Sequence, residues 1–352
     1  MQLDKRVFAI VSSRFRAPRI VCFESSLIIV PGSSNRVHLQ IRGTMSLRPL
    51  TPDLVSLAAR ELNENDDQLK EAIRYIDEWL SKTPHIVART EPQWLASFLR
   101  GCKYSLERTK EKLDAYYTIR THLPEIFTNR DPKKGKIKEI LSSGTYLPLP
   151  LTASSSSPRV ILVRGAIWDP KKYTFLDVLV VFFMIMDVLL LEDDRLNVAG
   201  QDIVLDLTGS RLEHASQFTP SVIKKAVTCF QNAYPMKTKS LHFINAPPTF
   251  DAIFVIFKTF MSEKLRRRIM VHNNPNDLYK YIPKSVLPSD YGGEGPSIEA
   301  MTKDWKNKVT DRREWFLEDE KYRVNESMRP GKPISGMDLF GVDGSFKQLS
   351  FD

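Results

Sequence analysis

From Phe175 to Leu191 the chain reads FLDVLVVFFMIMDVLLL, 17 residues interrupted only by Asp177 and Asp187. A membrane-spanning helix needs about 20 mostly apolar residues, and an aspartate near its centre costs roughly 2.5–3.5 kcal/mol. The run is therefore expected as a buried helix. It is apolar nearly all round, so it needs packing partners on several sides.

The neighbouring segments supply those partners. Arg159–Val163, Asp202–Leu207, Ser240–Asn245 and Ile269–His272 read as strands. Between and after them, Phe175–Leu191, Pro220–Tyr234, Phe250–Arg267 and a stretch near Pro275–Ile282 read as helices. Strands alternating with helices of this length predict an α/β domain with a mostly parallel sheet flanked by helices.

The preceding region has a different period. Thr51-Pro52-Asp53 offers a helix start, followed by Leu54, Leu57, Ala58 and Leu62 at helical spacing. Asp66-Asp67 opens a second helix with Leu69, Ile73, Ile76, Trp79 and Leu80 on one face, and helices over Trp94–Arg100 and Leu106–Ile119 follow. A small all-helical N-terminal domain is expected. Asn129–Lys138 and Ser154–Pro158 read as loops, and the polar tail beyond Glu318 is expected to lie across the surface.

Charge narrows the function classes. Of the net +9, residues 1–44 supply +5, leaving a mildly basic body with no RNP-like motif, zinc-finger spacing or basic heptads. No nucleic-acid partner is expected. Residues 1–44 are Arg- and Ser-rich like a mitochondrial presequence, but Pro18, Pro31 and Gly32 interrupt an amphipathic helix. Two readings stay open: a presequence, or a non-native extension ahead of a working start at Met45. Cys22, Cys102 and Cys229 are too scattered for a disulfide framework or metal site, so a reducing, cytoplasmic setting is expected.

Catalytic patterns are missing. There is no Gly-x-Gly-x-x-Gly after a strand, no phosphate-loop Gly-Lys-Ser/Thr and no Gly-x-Ser-x-Gly elbow. His38, His85, His122, His214, His242 and His272 form no ligand-spaced pair. His214 beside Glu213 is better read as locally hydrogen-bonded, and Asp206 in Asp206-Leu-Thr-Gly209 as a turn or capping residue. No catalytic residue, metal or cofactor is expected, and the chain is not read as an enzyme. The apolar residues are more telling. Phe182, Phe183 and Met186 on one helix, and Phe250, Ile253, Phe254 and Phe257 on another, exceed what a single core interface uses. The second helix runs directly into Lys264 and Arg266-Arg267-Arg268, the composition of a lid over an apolar cavity.

Four segments in order then carry a resemblance: Trp94–Tyr104 (WLASFLRGCKY), Asp202–Gly209 (DIVLDLTG), His242–Asn245 with Pro247-Pro248, and Leu287–Gly293 (LPSDYGG). Over roughly residues 50–310 the chain resembles the CRAL-TRIO lipid-carrier family, in its alpha-tocopherol transfer protein and cellular retinaldehyde-binding protein branch, in an insect-like style. The resemblance implies an extension over 1–44, a helical domain over 45–140, a lipid-binding domain over 141–310 and a tail over 311–352. It implies a hydrophobic small molecule held by Phe182, Phe183, Met186, Leu205, Phe230, Tyr234, Leu241, Phe243, Phe250, Ile253, Phe254 and Phe257, under a mobile gate covering about Asn245–Arg268. It places phosphoinositide contacts at Lys237, Lys258, Lys264 and Arg268, with Lys264 and Arg268 one turn apart on a helix. An Arg of the family's basic set falls at Cys102, with Lys103 as the nearest substitute. The implied function is a cytoplasmic, monomeric carrier that touches phosphoinositide-bearing membranes transiently. A lipid sensor acting through a protein partner, and a phospholipid-exchange protein of the phosphatidylinositol-transfer type, are the alternatives.

Overall fold

The computed structural model describes residues 47–341, so the expected extension over 1–44 lies outside the described residues. Helices α1 (Pro52–Leu62), α2 (Asp66–Ser81), α3 (Pro92–Gly101) and α4 (Leu106–His122) form where the spacing predicts. Pro52 starts α1, and the Asn65 side chain accepts from the Gln68 amide at 2.9 Å to cap α2. Leu54, Leu57, Ala58 and Leu62 are buried from α1, and Leu69, Ile73, Ile76 and Leu80 from α2; Trp79 is half-buried.

The sheet has five strands in sequential order: β1 (Tyr146–Pro148), β2 (Arg159–Arg164), β3 (Gln201–Asp206), β4 (Thr238–Ile244) and β5 (Ile269–Val271). Only the short β1 runs antiparallel to its neighbour; β2 to β5 are parallel. Right-handed crossovers between strands in sequential order put their connecting helices on one face. These helices are Phe175–Glu192, Pro220–Thr228 and Phe250–Phe260. Residues 275–295 cross the opposite face, where the Tyr291 hydroxyl donates to Asp206 at 2.5 Å and Tyr281 packs on His242.

The apolar run forms the helix Phe175–Glu192, buried from Val178 to Leu190. Its first polar residue belongs to the cap. The Thr174 hydroxyl accepts from the Asp177 amide at 3.2 Å, and Asp177 accepts from the Thr174 amide at 2.7 Å. The second, Asp187, is fully buried and accepts from Tyr116, Tyr234, Arg120 and Arg130 at 3.1, 2.8, 2.6 and 2.7 Å.

Several segments differ from the sequence reading. The helix expected over Phe250–Arg267 stops at Phe260; Met261 is extended and Ser262 caps a separate turn, Glu263–Arg266. Arg268 lies beyond that turn, so Lys264 and Arg268 do not share a helical face. The helix expected over Pro220–Tyr234 relaxes into a wider π-turn at Cys229–Ala233. Gly135–Leu141, inside a stretch read as a loop, is helical. Pro275–Lys280 is a tight 3₁₀ segment. The tail is no surface strap: after helices Ile298–Asp311 and Arg313–Asp319, residues Asp319, Val324 and Phe340 are buried. Val324 bridges to Ile86, and Asp319 meets Arg130 at 2.5 Å. Among the described residues no helix is long and apolar enough to cross a membrane.

Candidate functional site

Between the sheet and its three connecting helices lies a cavity of about 240 Å³. Alternation along the strands decides which residues form its floor. Val163 stands opposite Leu205 in the β2–β3 register, and Leu205 opposite Phe243 in the β3–β4 register, so the three share a face with Ile203 and Leu241. One wall is the Phe175–Glu192 helix through Phe175, Val178, Leu179, Phe182 and Phe183. A second comes from Ala226, Val227 and Phe230, and a third from Phe250, Ile253, Phe254 and Phe257.

At ~30 Å³ per water the space would hold on the order of eight, yet nearly all of its surface is carbon. Left dry, it forfeits on the order of 6 kcal/mol of packing at ~24 cal/mol per Å³. An empty cavity of this size works against stability.

The third wall is the least secured. From the Phe250–Phe260 helix only Phe250 is fully buried, while Val255 is 50% exposed on the outer side. Phe250, Phe254 and Phe243 make an aromatic cluster with centroids 4.9–5.4 Å apart. Phe257 touches Phe218, which in turn packs on Phe175.

The structure brings Phe182, Phe183, Leu205, Phe230, Leu241, Phe243, Phe250, Ile253, Phe254 and Phe257 together around the cavity. It does not bring Met186 or Tyr234 there. Met186 lies deeper in the buried helix, toward the Asp187 side, and the Tyr234 hydroxyl is committed to Asp187 at 2.8 Å. Sequence reasoning missed Trp168, His214, Phe218, Met261 and Leu265, which also line it. Phe218 sits in a connection, where no periodicity marks a facing side, and Met261 sits at the break after Phe260, inside the helix that the sequence carries on to Arg267.

The two residues weighed for chemistry are both committed. His214 accepts from the Arg211 amide at its Nδ1 and donates from Nε2 to the Trp168 carbonyl at 3.0 Å. Asp206 accepts from the Thr208 amide and hydroxyl, Asn245 and Tyr291 at 2.9, 2.7, 2.8 and 2.5 Å. Burial works to raise its carboxyl, but the bonds from Asn245, Tyr291 and Thr208 outweigh it and hold the pKa below the usual range. The role of this carboxylate is to tie the end of β3 to the end of β4 and to the LPSDYGG segment. Among the described residues no group of three or more His, Cys, Asp or Glu could hold a metal ion.

The four basic residues fall into two kinds. Lys258 and Lys264 are exposed and have no ion-pair partner among the described residues; Lys258 lies over the Phe254 ring, 4.8 Å from its centre. Arg268 is half-buried and donates to the Thr238 carbonyl. Lys237 is also half-buried, and its ammonium donates to the Val198 carbonyl at 2.8 Å. Burial, with Lys239 and Lys103 close by, lowers its pKa to about 8. Cys102 is buried with its thiol toward the Arg108 carbonyl, whereas Lys103 is exposed beside Lys237. Gly101 permits this approach, since a Cβ there would meet the Pro235 carbonyl oxygen at 1.9 Å.

Comparison with known proteins gives the family. A family model described as CRAL/TRIO domain matches residues 154–293, and one described as Pinta-like, UBA domain matches residues 65–137. The chain is similar to human "Alpha-tocopherol transfer protein-like", with 30% identity over 72% of this chain and 73% of that protein. It is similar to human "Clavesin-2", with 30% identity over 81% of this chain and 86% of that protein. The solved structure titled "Crystal structure of Sfh5" overlaps it at TM-score 0.44 and 13% identity, over 72% of this chain and 99% of that one. The chain belongs to the CRAL/TRIO domain family.

Proposed function

We propose that the protein is a non-enzymatic carrier that holds one hydrophobic small molecule in the cavity and exchanges it at phosphoinositide-bearing membranes. The observation that carries the reading is a carbon-lined cavity of about 240 Å³ with one loosely buried helix as a wall, beside lysines that have no ion-pair partner among the described residues. A lipid of ~20 carbons gains on the order of 16 kcal/mol on burial, at ~0.8 kcal/mol per methylene. Escape into water is correspondingly slow, so delivery requires the wall to open against another apolar phase.

Lys258 and Lys264 suit the surface at which that happens. Each basic side chain near an anionic bilayer gains about 1 kcal/mol, so the two give about 2 kcal/mol, enough for transient docking. Lys237 and Arg268, already bound to backbone carbonyls, contribute to headgroup binding only after those bonds are exchanged. The exposed Val255 adds apolar contact on the same helix. The bound occupant is tested by native mass spectrometry of the purified protein followed by lipid extraction. The wild type should carry one apolar molecule per chain. Leu205→Trp, which intrudes on the cavity from its floor, should carry clearly less while unfolding within about 3 kcal/mol of wild type. Equal occupancy in both proteins would place the ligand elsewhere.

A further inference from the structure

On the face of the sheet turned away from the cavity, His242 of β4 and His272, the residue after β5, stack with ring planes 14° apart. His242 Nδ1 and His272 Nε2 are 2.9 Å apart. The contact continues inward: His242 Nε2 lies 2.8 Å from the Ser240 hydroxyl, which lies 2.5 Å from Asp202 of β3. One order of protons satisfies every link. The Ser240 hydroxyl donates to the Asp202 carboxylate, His242 Nε2–H donates to Ser240, and His272 Nε2–H donates to the bare Nδ1 of His242. The chain therefore runs across three strands, and with both rings neutral this is the order that fits.

We propose that this His272–His242–Ser240–Asp202 chain is an acid-sensitive latch that holds β5, and through β5 the far anchor of the helix walling the cavity. The placement is what gives the contact leverage. β5 is an edge strand of three residues, paired only through Leu241–Ile269, His242–Met270 and Phe243–Val271. It follows within a few residues of the Glu263–Arg266 turn and of the Phe250–Phe260 helix. The backbone fastens it at its ends through the Leu241 amide to the Arg268 carbonyl and the His272 amide to the Phe243 carbonyl, both at 2.9 Å. With so short a ladder, the side-chain chain is a large part of what keeps the strand in place.

The surroundings favour the uncharged pair. Both rings are buried, and Tyr281 covers them with centroids 5.2 and 5.7 Å away. The charged groups facing the pair are Asp202, reached through Ser240, and Asp277 and Lys280 of the covering segment, which pair with each other at 2.7 Å. Burial, with His272 adding to it, pulls the His242 pKa down to about 4. Burial also lowers that of His272; Asp277 works against the shift and Lys280 with it. One added proton is shared, His272 turning a bare Nε2 to His242 Nδ1–H; when both rings are protonated two N–H groups face each other and the link breaks.

The sign follows from linkage. When β5 lifts, the rings regain the ordinary histidine pKa and take up protons that the closed form refuses, so acid favours the open form. The latch is fully effective above pH ~6.5 and weakens as pH falls toward 4. For His242 alone, opening is favoured on the order of tenfold more at pH 5 than at pH 7.

Hydrogen exchange read by mass spectrometry on the lipid-free protein tests this, with rates corrected for intrinsic pH dependence. The expected result is a loss of protection at pH 5, on the order of tenfold, in peptides covering 269–272 and 250–260, with β2 (159–164) unchanged. His242→Gln, whose amide does not titrate, should shrink the difference between the two pH values, leaving only the part due to His272. Uniform protection at both pH values in the wild type would overturn the latch, and this measurement needs no variant. An undiminished pH effect in His242→Gln would also overturn it. Loosening of 269–272 without 250–260 would overturn the coupling to the cavity wall. Because no lipid is present, the outcome does not depend on the carrier reading.

Discussion

Single residues set both the stability and the charge state of this protein. Asp187 interrupts an otherwise apolar helix because Arg120 and Arg130, both fully buried, need an acceptor there. Removing one partner of a buried ion pair leaves the other uncompensated, which costs about 3–5 kcal/mol. Asp187→Ala is expected to lose that much in urea unfolding, although Asp187 does not line the cavity. Asp319 completes the cluster. Burial works to raise its carboxyl, but Arg120, Arg130 and Arg89 prevail and hold the pKa below the usual value. The stabilisation from this carboxylate is therefore present above the unfolded value near pH 4 and lost as acid titrates the folded form. Lys237 gives the opposite kind of test. With its pKa at about 8 it loses charge as pH rises through that value, so binding to phosphoinositide vesicles should weaken between pH 7 and 9. Lys237→Arg, which keeps its charge, should show a flat profile in vesicle co-sedimentation. Of these residues, Asp187 was visible in the sequence as an exception to an apolar run. Its partners were not, because Arg120, Arg130 and Asp319 come from three distant segments.

At the scale of elements, the strands and the long buried helix were legible because their periodicity is strong and their lengths differ. What failed was the end of the Phe250–Phe260 helix. Apolar spacing continues through Met261 and Leu265, so periodicity alone extends the helix to Arg267. The decisive signal is local: Ser262 caps a new turn, accepting from the Leu265 amide at 3.3 Å. A side chain from another element then bridges the break. Gln231 of the π-turn donates to the Phe260 carbonyl at 3.1 Å and accepts from the Ser262 amide at 2.7 Å. Gln231 thus satisfies two backbone groups at the end of this cavity wall. Gln231→Ala is expected to speed release of a fluorescent lipid to acceptor vesicles about 5- to 10-fold, matching the loss of one to two hydrogen bonds at ~1 kcal/mol or less each. Global stability should change by less than about 2 kcal/mol.

For the whole molecule, the cavity floor and most of its walls could be read from sequence because the residues lie on elements with a clear facing side. The lining from the connection at Phe218 and from the helix break at Met261 could not. Nor could the tail, whose polar composition hides three residues, Asp319, Val324 and Phe340, that enter the core. The floor and two walls are largely buried, whereas the Phe250–Phe260 helix buries only Phe250 and has Gln231 bridging the break at its end. In the proposed function this helix yields at an anionic membrane through Lys258 and Lys264. The most direct measurement is the rate at which the loaded protein transfers a fluorescent hydrophobic ligand to acceptor vesicles with and without phosphatidylinositol bisphosphate. Transfer to the anionic vesicles should be faster, and most of that difference should be lost in Lys258→Glu/Lys264→Glu with ligand affinity unchanged. Equal rates to both vesicle types, or an undiminished difference in the double variant, would contradict it.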